Sequence, residues 1–172
     1  MHHFIYHGNI SEFGVRNSMI LLSDSMKKGE SVVTLHLASL GGDVNAGMML
    51  YNFLKMMPIE VRTHAASNCH SIAVSILLGG SIRTGAPASN FLVHAPRYSE
   101  GPSTGQLSPS GKLVAQPFSV VAGWSADDIT TRFETAGDFA MTPDKAVELN
   151  VISSVVDLRF GSDDEIVTIK VD

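Results

Sequence analysis

The stretch Val61-Arg62-Thr63-His64-Ala65-Ala66-Ser67-Asn68-Cys69-His70-Ser71-Ile72-Ala73-Val74-Ser75-Ile76-Leu77-Leu78 decides how the chain is read. Val61 to Ala66 reads as a short strand, Ser67 to His70 as a turn, and the unbroken apolar run from Ile72 as a buried helix. Ser71 therefore falls where a strand hands over to a helix. A helix start offers unpaired N–H groups and a partial positive charge, which favour negative charge developing beside a hydroxyl. Ser71 is a candidate nucleophile on that ground, although a serine at a helix start is more often only a cap.

Working outward, extended and helical segments alternate. His3 to Tyr6 reads as a strand, and Ser11 to Lys28 as a helix with Met19, Leu22 and Met26 on one face, closed by Gly29. Val32 to Ala38 has the β-branched density of a strand buried on both faces, and the helical pattern from Val44 to Met57 stops at Pro58. A third strand covers Ile59 to Ala66. Beyond the Ser71 helix, Ser81 to Thr84 and Asn90 to His94 are two short strands around the Gly85-Ala86-Pro87 turn. This order predicts an α/β fold with a largely parallel central sheet, its functional groups gathered where strands hand over to helices.

The second half is less regular. Tyr98 to Gly111 is rich in Ser, Gly and Pro and reads as a mobile loop, an insertion at about 98–111 in a single domain spanning 1–172. Ser125 with Asp128 resembles a capping box opening a helix to about Ala136, and Thr142-Pro143 opens another. Val151 to Val156 and Glu165 to Val171 read as closing strands.

Bulk properties exclude several classes. With 172 residues at 44% hydrophobic composition, the chain can bury one sizeable core but has little room for a second. A net charge of −5 without a dense Lys/Arg block argues against nucleic acid or an anionic membrane surface as partner. One cysteine forbids an internal disulfide, and no long apolar stretch suggests a span, so a cytoplasmic protein is expected. His2, His3 and His7 lie close in sequence, but their spacing does not demand a metal, and neither metal nor cofactor is expected.

Acyl transfer needs a nucleophile, a base, an orienting group and oxyanion donors. Ser71 is the nucleophile candidate, His94 ends the strand Phe91-Leu92-Val93, and Asp138 follows Gly137 ahead of the last helix. Gly41-Gly42 closes the second strand, where glycines let backbone N–H groups approach a carbonyl without a Cβ between. The Ile72 N–H is a second donor candidate. Each residue also has an ordinary reading: strand-end histidine, loop carboxylate, simple turn. Cys69 is a rival nucleophile that reads more readily as a small semi-buried hydrophobe, and His70 is a rival base, although adjacent residues rarely face each other.

Taken together, the segments resemble the Clp protease proteolytic subunit (ClpP) family. Ser39-Leu40-Gly41-Gly42-Asp43-Val44-Asn45-Ala46-Gly47 is similar to that family's Ser-Pro-Gly-Gly-x-x-x-Ala-Gly segment, with Leu40 where proline is usual. Ser71-Ile72-Ala73-Val74 resembles its Ser-Met-Gly-Ala helix, Asn90 to Pro96 its strand ending in His-Gln-Pro, and Asp138 its Asp eight residues before Ala146-Val147-Glu148. The resemblance covers residues 3 to 96 and 125 to 157. It implies a ClpP/crotonase-like spiral of β-β-α units and a serine peptidase with the triad Ser71, His94 and Asp138. It also implies an oxyanion hole from the Gly42 and Ile72 N–H groups. A peptide or unfolded protein would lie extended beside Gly41, Gly42, Ala95 and Pro96, in a homo-oligomer, with a ring possible.

The pattern also departs from the family. The first strand begins almost at Met1, where the family has an axial loop and helix, so a ring ATPase partner is not expected. Tyr98 to Gly111 and a short segment broken by Pro117 stand where the family has a helical handle, which argues against stacked rings. Asn68-Cys69-His70 replaces small residues beside the nucleophile, and Ala73 stands where glycine is usual. Two other classes fit the same residues: a catalytically impaired assembly protein of this fold, and a crotonase-type acyl-CoA enzyme using the paired N–H groups.

Overall fold

A computed structural model describes all 172 residues. In chain order the elements are β1 (His2–His7), α1 (Glu12–Lys27), β2 (Val32–Ser39), α2 (Val44–Met56), β3 (Glu60–His70), α3 (Ile72–Leu77), β4 (Ile82–Gly85) and β5 (Asn90–His94). There follow α4 (Gly111–Pro117), a π-helical turn (Phe118–Ala122), α5 (Ala126–Phe133), β6 (Asp138–Met141), α6 (Pro143–Glu148), β7 (Ser154–Val155) and β8 (Glu165–Ile169). The strands form one sheet in the order β6-β5-β3-β2-β1-β8, with β4 paired to β3 and β7. Every pairing is parallel except β5 with β6, which makes this the expected α/β fold with a largely parallel sheet.

Local chemistry sets the element ends. Ser11 caps α1 by accepting the Gly14 N–H, Asp43 caps α2 by accepting the Ala46 N–H, and α2 stops short of Pro58 because a residue before proline avoids helical dihedrals. Ser125 and Asp128 form the reciprocal capping box of α5, and Thr142 with Pro143 opens α6. One apolar cluster of 35 buried residues joins the sheet to its helices.

The face α1 turns to the core differs from the expected one. Gly14, Val15, Ser18, Leu22 and Ser25 are buried, whereas Met19 and Met26 flank them. Small residues occupy the closest approach, and the buried hydroxyls find partners: Ser18 Oγ donates to Gly14 O, and Ser25 Oγ meets His2 Nδ1 at 2.6 Å.

The turn expected at Ser67–His70 is instead the end of β3. β3 carries two surplus residues relative to β2, because Leu37 pairs with Ala65 but Ser39 with Cys69, which sets Ala66 to Asn68 against Ala38 alone. This irregularity marks a change of neighbour. Arg62 to Ala65 pair with β4, and Asn68 to His70 pair with β5 along the same edge. Residues that look like a turn are held extended by that second ladder.

The remaining differences lie after His94. Tyr98 to Gly111 holds no helix or strand before α4 and folds back on itself through an Arg97–Leu107 bridge and paired bonds between Tyr98 and the Gly105-Gln106 backbone. Asp138–Met141, to which the sequence reading assigns no element, is a strand antiparallel to β5, and the expected strand Val151–Val156 shrinks to Ser154–Val155. Pro117 ends α4 without exposing it: Phe118, Trp124 and Phe133 stack together in the core, with the Arg132 guanidinium over Trp124 and Phe139.

A row of histidines crosses the sheet under the β7–β8 connection. His3 Nδ1 lies 2.9 Å from His36 Nε2, the His36 and His64 rings are 5.3 Å apart, and His64 Nδ1 meets Thr84 Oγ1 at 2.8 Å. Phe160 covers His3 and His36, and Asp164 closes the row at His3 Nε2. Burial lowers all three imidazoles. His36 falls to about 4, with its two histidine neighbours adding to the effect, while Asp164 partly opposes the shift of His3.

Candidate active site

β3 delivers Ser71 directly into α3. The Ser71 N–H donates to Leu92 O at 2.7 Å, and Val74 N–H donates to Ser71 O at 3.0 Å, so the residue is tied to β5 behind it and to the helix ahead. Its backbone is held at φ 55° and ψ −130°, a conformation that costs a non-glycine residue about 1–3 kcal/mol and persists only where surroundings enforce it. Ser71 makes no side-chain capping bond. Its hydroxyl is therefore not spent on the role a serine at a helix start usually plays.

Gly41 explains how the strand ends come so close. A Cβ there would sit 2.7 Å from Ser71 Cβ and 3.2 Å from Ser71 Oγ, and its φ of 107° is one that side-chain-bearing residues rarely adopt. Gly42 is exposed, and a Cβ on it would meet Ile10 O at 2.3 Å. The bridge beside it uses Ile10 N–H to Gly41 O and Asp43 N–H to Ile10 O, which leaves the Gly42 N–H outside the pairing. Ile72, at the first position of α3, carries an N–H with no carbonyl one turn earlier in that helix.

His94 and Asp138 are direct partners in the β5–β6 ladder, so their side chains leave the same face of the sheet. Asp138 is exposed and His94 half-buried. Backbone topology thus brings all three residues to neighbouring strand ends, but the side chains are not joined. Neither Ser71 with His94 nor His94 with Asp138 forms a hydrogen bond; His94 Nδ1 lies 2.9 Å from Ala95 O. A bond to a carbonyl requires the proton on Nδ1. The neutral ring then keeps the Nε2 lone pair that a general base uses.

The other candidates fall into place around this corner. Ala95 and Pro96 are buried, Ala95 O faces His94, and Pro96 O accepts the Ser108 N–H at 2.8 Å. Cys69 is completely buried and burial pushes its thiol up, which removes it as a competing nucleophile. His70 Nε2 is engaged by Asn90 Oδ1, and Asn90 Nδ2 donates to Asn68 Oδ1. Nothing local in the chain singles out Asn90, because its partners come from a different strand.

A cleft of about 410 Å³ opens at the carboxyl ends of β1 and β2, lined by Gly8, Asn9, Leu40 and Asn68 among others. Its position agrees with the rule that open α/β sheets bind ligands beyond their strands' carboxyl ends. A larger groove of about 660 Å³ lies between α1 and α2, lined by Val15, Met19, Ile20, Met49 and Phe53. Ser71, His94 and Asp138 line neither of the two, so cavity size does not locate the chemistry. No cluster of three or more His, Cys, Asp or Glu side chains could hold a metal ion, and no helix is long and apolar enough to cross a membrane.

Comparison with known proteins agrees with the fold. The family model described as Clp protease matches residues 7–159. An ATP-dependent Clp protease proteolytic subunit from Bdellovibrio bacteriovorus is 24% identical over 159 residues, covering 84% of this chain and 74% of the relative. An ATP-dependent Clp protease proteolytic subunit 2 from Corynebacterium efficiens is 25% identical over 136 residues, covering 75% of this chain and 68% of the relative. Among solved structures, an asparagine-to-aspartate mutant of ClpP1 from Listeria monocytogenes superposes with a TM-score of 0.79 at 17% identity, covering 91% of this chain and 92% of the other.

Proposed function

The chain belongs to the Clp protease family, and from that premise we propose that it is a serine endopeptidase acting through Ser71, His94 and Asp138. The observation that carries this reading is the Ser71 backbone. A serine held at φ 55° against Gly41, its hydroxyl free of capping, sits at the end of the strand paired with the His94 strand. In the proposed reaction Ser71 Oγ attacks the scissile carbonyl carbon while His94 Nε2 takes the hydroxyl proton. The carbonyl oxygen gains charge facing the Gly42 and Ile72 N–H groups, each such donor being worth about 3 to 4 kcal/mol. The C–N bond then breaks as His94 returns its proton to the leaving amine, and water repeats the sequence on the acyl group. Asp138 enters by replacing Ala95 O as the acceptor for His94 Nδ1–H, a ring movement between two nearby acceptors. Catalytic hydrogen bonds are often long in an unliganded site and tighten with substrate.

Peptide or unfolded protein is the proposed substrate, lying extended beside Gly41-Gly42 and the adjoining cleft. A homo-oligomer in the cytoplasm, working without a dedicated unfoldase, completes the proposal. The apolar α1–α2 groove, with exposed Ile20 and Met49, supports self-association. A second reading is favoured by the His94–Ala95 contact: a member of the family that assembles but does not turn over. Hydrolysis of quenched fluorescent peptides of mixed sequence separates the two. The peptidase reading expects cleavage by the parent chain and none by Ser71→Ala; equal rates in both would overturn it, and an inactive parent would favour the assembly role.

A further inference from the structure

Ser71 owes its position to a ladder only three residue pairs long. β3 meets β5 through Asn68–Asn90, Cys69–Phe91 and His70–Leu92, beginning within the stretch whose two surplus residues shift its register against β2. So short a ladder, adjoining an irregularity, pins register weakly through backbone alone. Ser71 follows at once on β3, and His94 lies four residues beyond Asn90 on β5. Any slip between these two strands changes the distance between the proposed nucleophile and its base.

A side-chain row crosses this junction. Alternation places Asn68 and His70 on one face of β3, with Cys69 turned into the core. Asn90 lies directly across from Asn68 and diagonally from His70. It accepts from His70 Nε2–H through its Oδ1 and donates through Nδ2 to Asn68 Oδ1. Donor and acceptor directions agree along the row, and Asn90 is satisfied from both sides by the last three residues of β3. The row stands at the solvent boundary, where such bonds add little to global stability.

We propose that the His70–Asn90–Asn68 row is a positioning clamp that fixes β3 against β5 and so sets the Ser71–His94 separation. None of the three residues touches the reacting atoms. The inference rests on the peptidase reading above and accounts for polar residues at the strand end before the nucleophile, where the resemblance implies small ones.

The test is turnover per reactive serine, the number of reactive serines being counted by fluorophosphonate titration. Asn90→Ala and His70→Ala are expected to lower kcat per titrated site about tenfold, the size of one lost hydrogen bond expressed in the barrier, with KM within about twofold of the parent. His70→Gln keeps an amide N–H for Asn90 and is expected to recover most of the rate. A merely structural role would lower the titrated fraction or the melting temperature while leaving kcat per site intact. An active parent whose Asn90→Ala variant keeps kcat per site within twofold, or in which His70→Gln is as slow as His70→Ala, overturns the clamp alone. A parent that neither cleaves peptide nor titrates overturns the peptidase reading and the clamp together.

Discussion

His64 and His70 stand six residues apart on the same strand and meet opposite conditions. His64 lies in the middle of β3, dry, flanked by His36 on one side and Thr84 on the other, and burial holds it toward the neutral form. His70 lies at the strand's last position, half-exposed, with a neutral amide as partner and Ser71 next in the chain. The middle of the strand spends its imidazole on filling the sheet, whereas the end spends it on tying down a corner. Residue type alone does not assign a histidine its role; the neighbouring strand does. Stability should therefore respond to the first region, and turnover to the second.

Ser71→Ala should break the turnover side of that contrast most severely. Removal of a triad nucleophile lowers kcat by a factor on the order of 10⁶ in a well-studied hydrolase, so hydrolysis of fluorescent peptides should fall below detection while circular dichroism stays unchanged. Gly41→Ala comes next. Its Cβ would press on Ser71 Cβ at 2.7 Å, and a misplacement of about 1 Å can cost on the order of 10²-fold in rate. Initial-rate kinetics beside a thermal melt would show whether that loss is local to the corner.

Acid should probe the stability side. Because the folded state holds His36 near 4, below the 6.5 of an unfolded imidazole, the unfolded chain binds more protons between those values. The stabilisation is complete above pH 6.5 and is lost as pH falls toward 4. His36 alone would contribute a loss of about 2 kcal/mol between pH 7.5 and pH 5, with His3 and His64 acting in the same direction. Asp164, held below the usual carboxylate range chiefly by the Gly161 N–H, loses its own contribution only at lower pH, outside this window. Urea denaturation at the two pH values measures the slope, and His36→Gln should flatten it. The smallest effect belongs to a site remote from both regions: Ser125→Ala removes the capping box of α5 and should lower stability by about 1 kcal/mol, read as a shift in urea midpoint, with kcat unchanged.

What the sequence could reveal divides along the same line. Strand and helix order through His94, the caps at Ser125 and Thr142, and Ser71 at a strand-to-helix junction are local properties, carried by apolar period and cap chemistry. The end of β3 reads as a turn because Ser67 and Asn68 favour turns locally, and only pairing with β5 overrides that preference. β6 is hidden for a related reason, since the four residues from Asp138 to Met141 carry no period, and their extension comes from β5 opposite. The histidine row was hidden more deeply. His3 drew notice beside His2 and His7, its neighbours in sequence, yet its partners are His36 and Asp164, which parallel register and the β8 turn bring to it.

The proposed reaction turns on the activation of Ser71 by His94. The rate at which a fluorophosphonate modifies the parent chain, with the adduct mapped by peptide mass spectrometry, tests it most directly. The expected result is an adduct on Ser71 and a rate in His94→Ala lower by about 10³-fold or more. A parent unmodified at Ser71, or a Ser71 modified equally fast without His94, would contradict it.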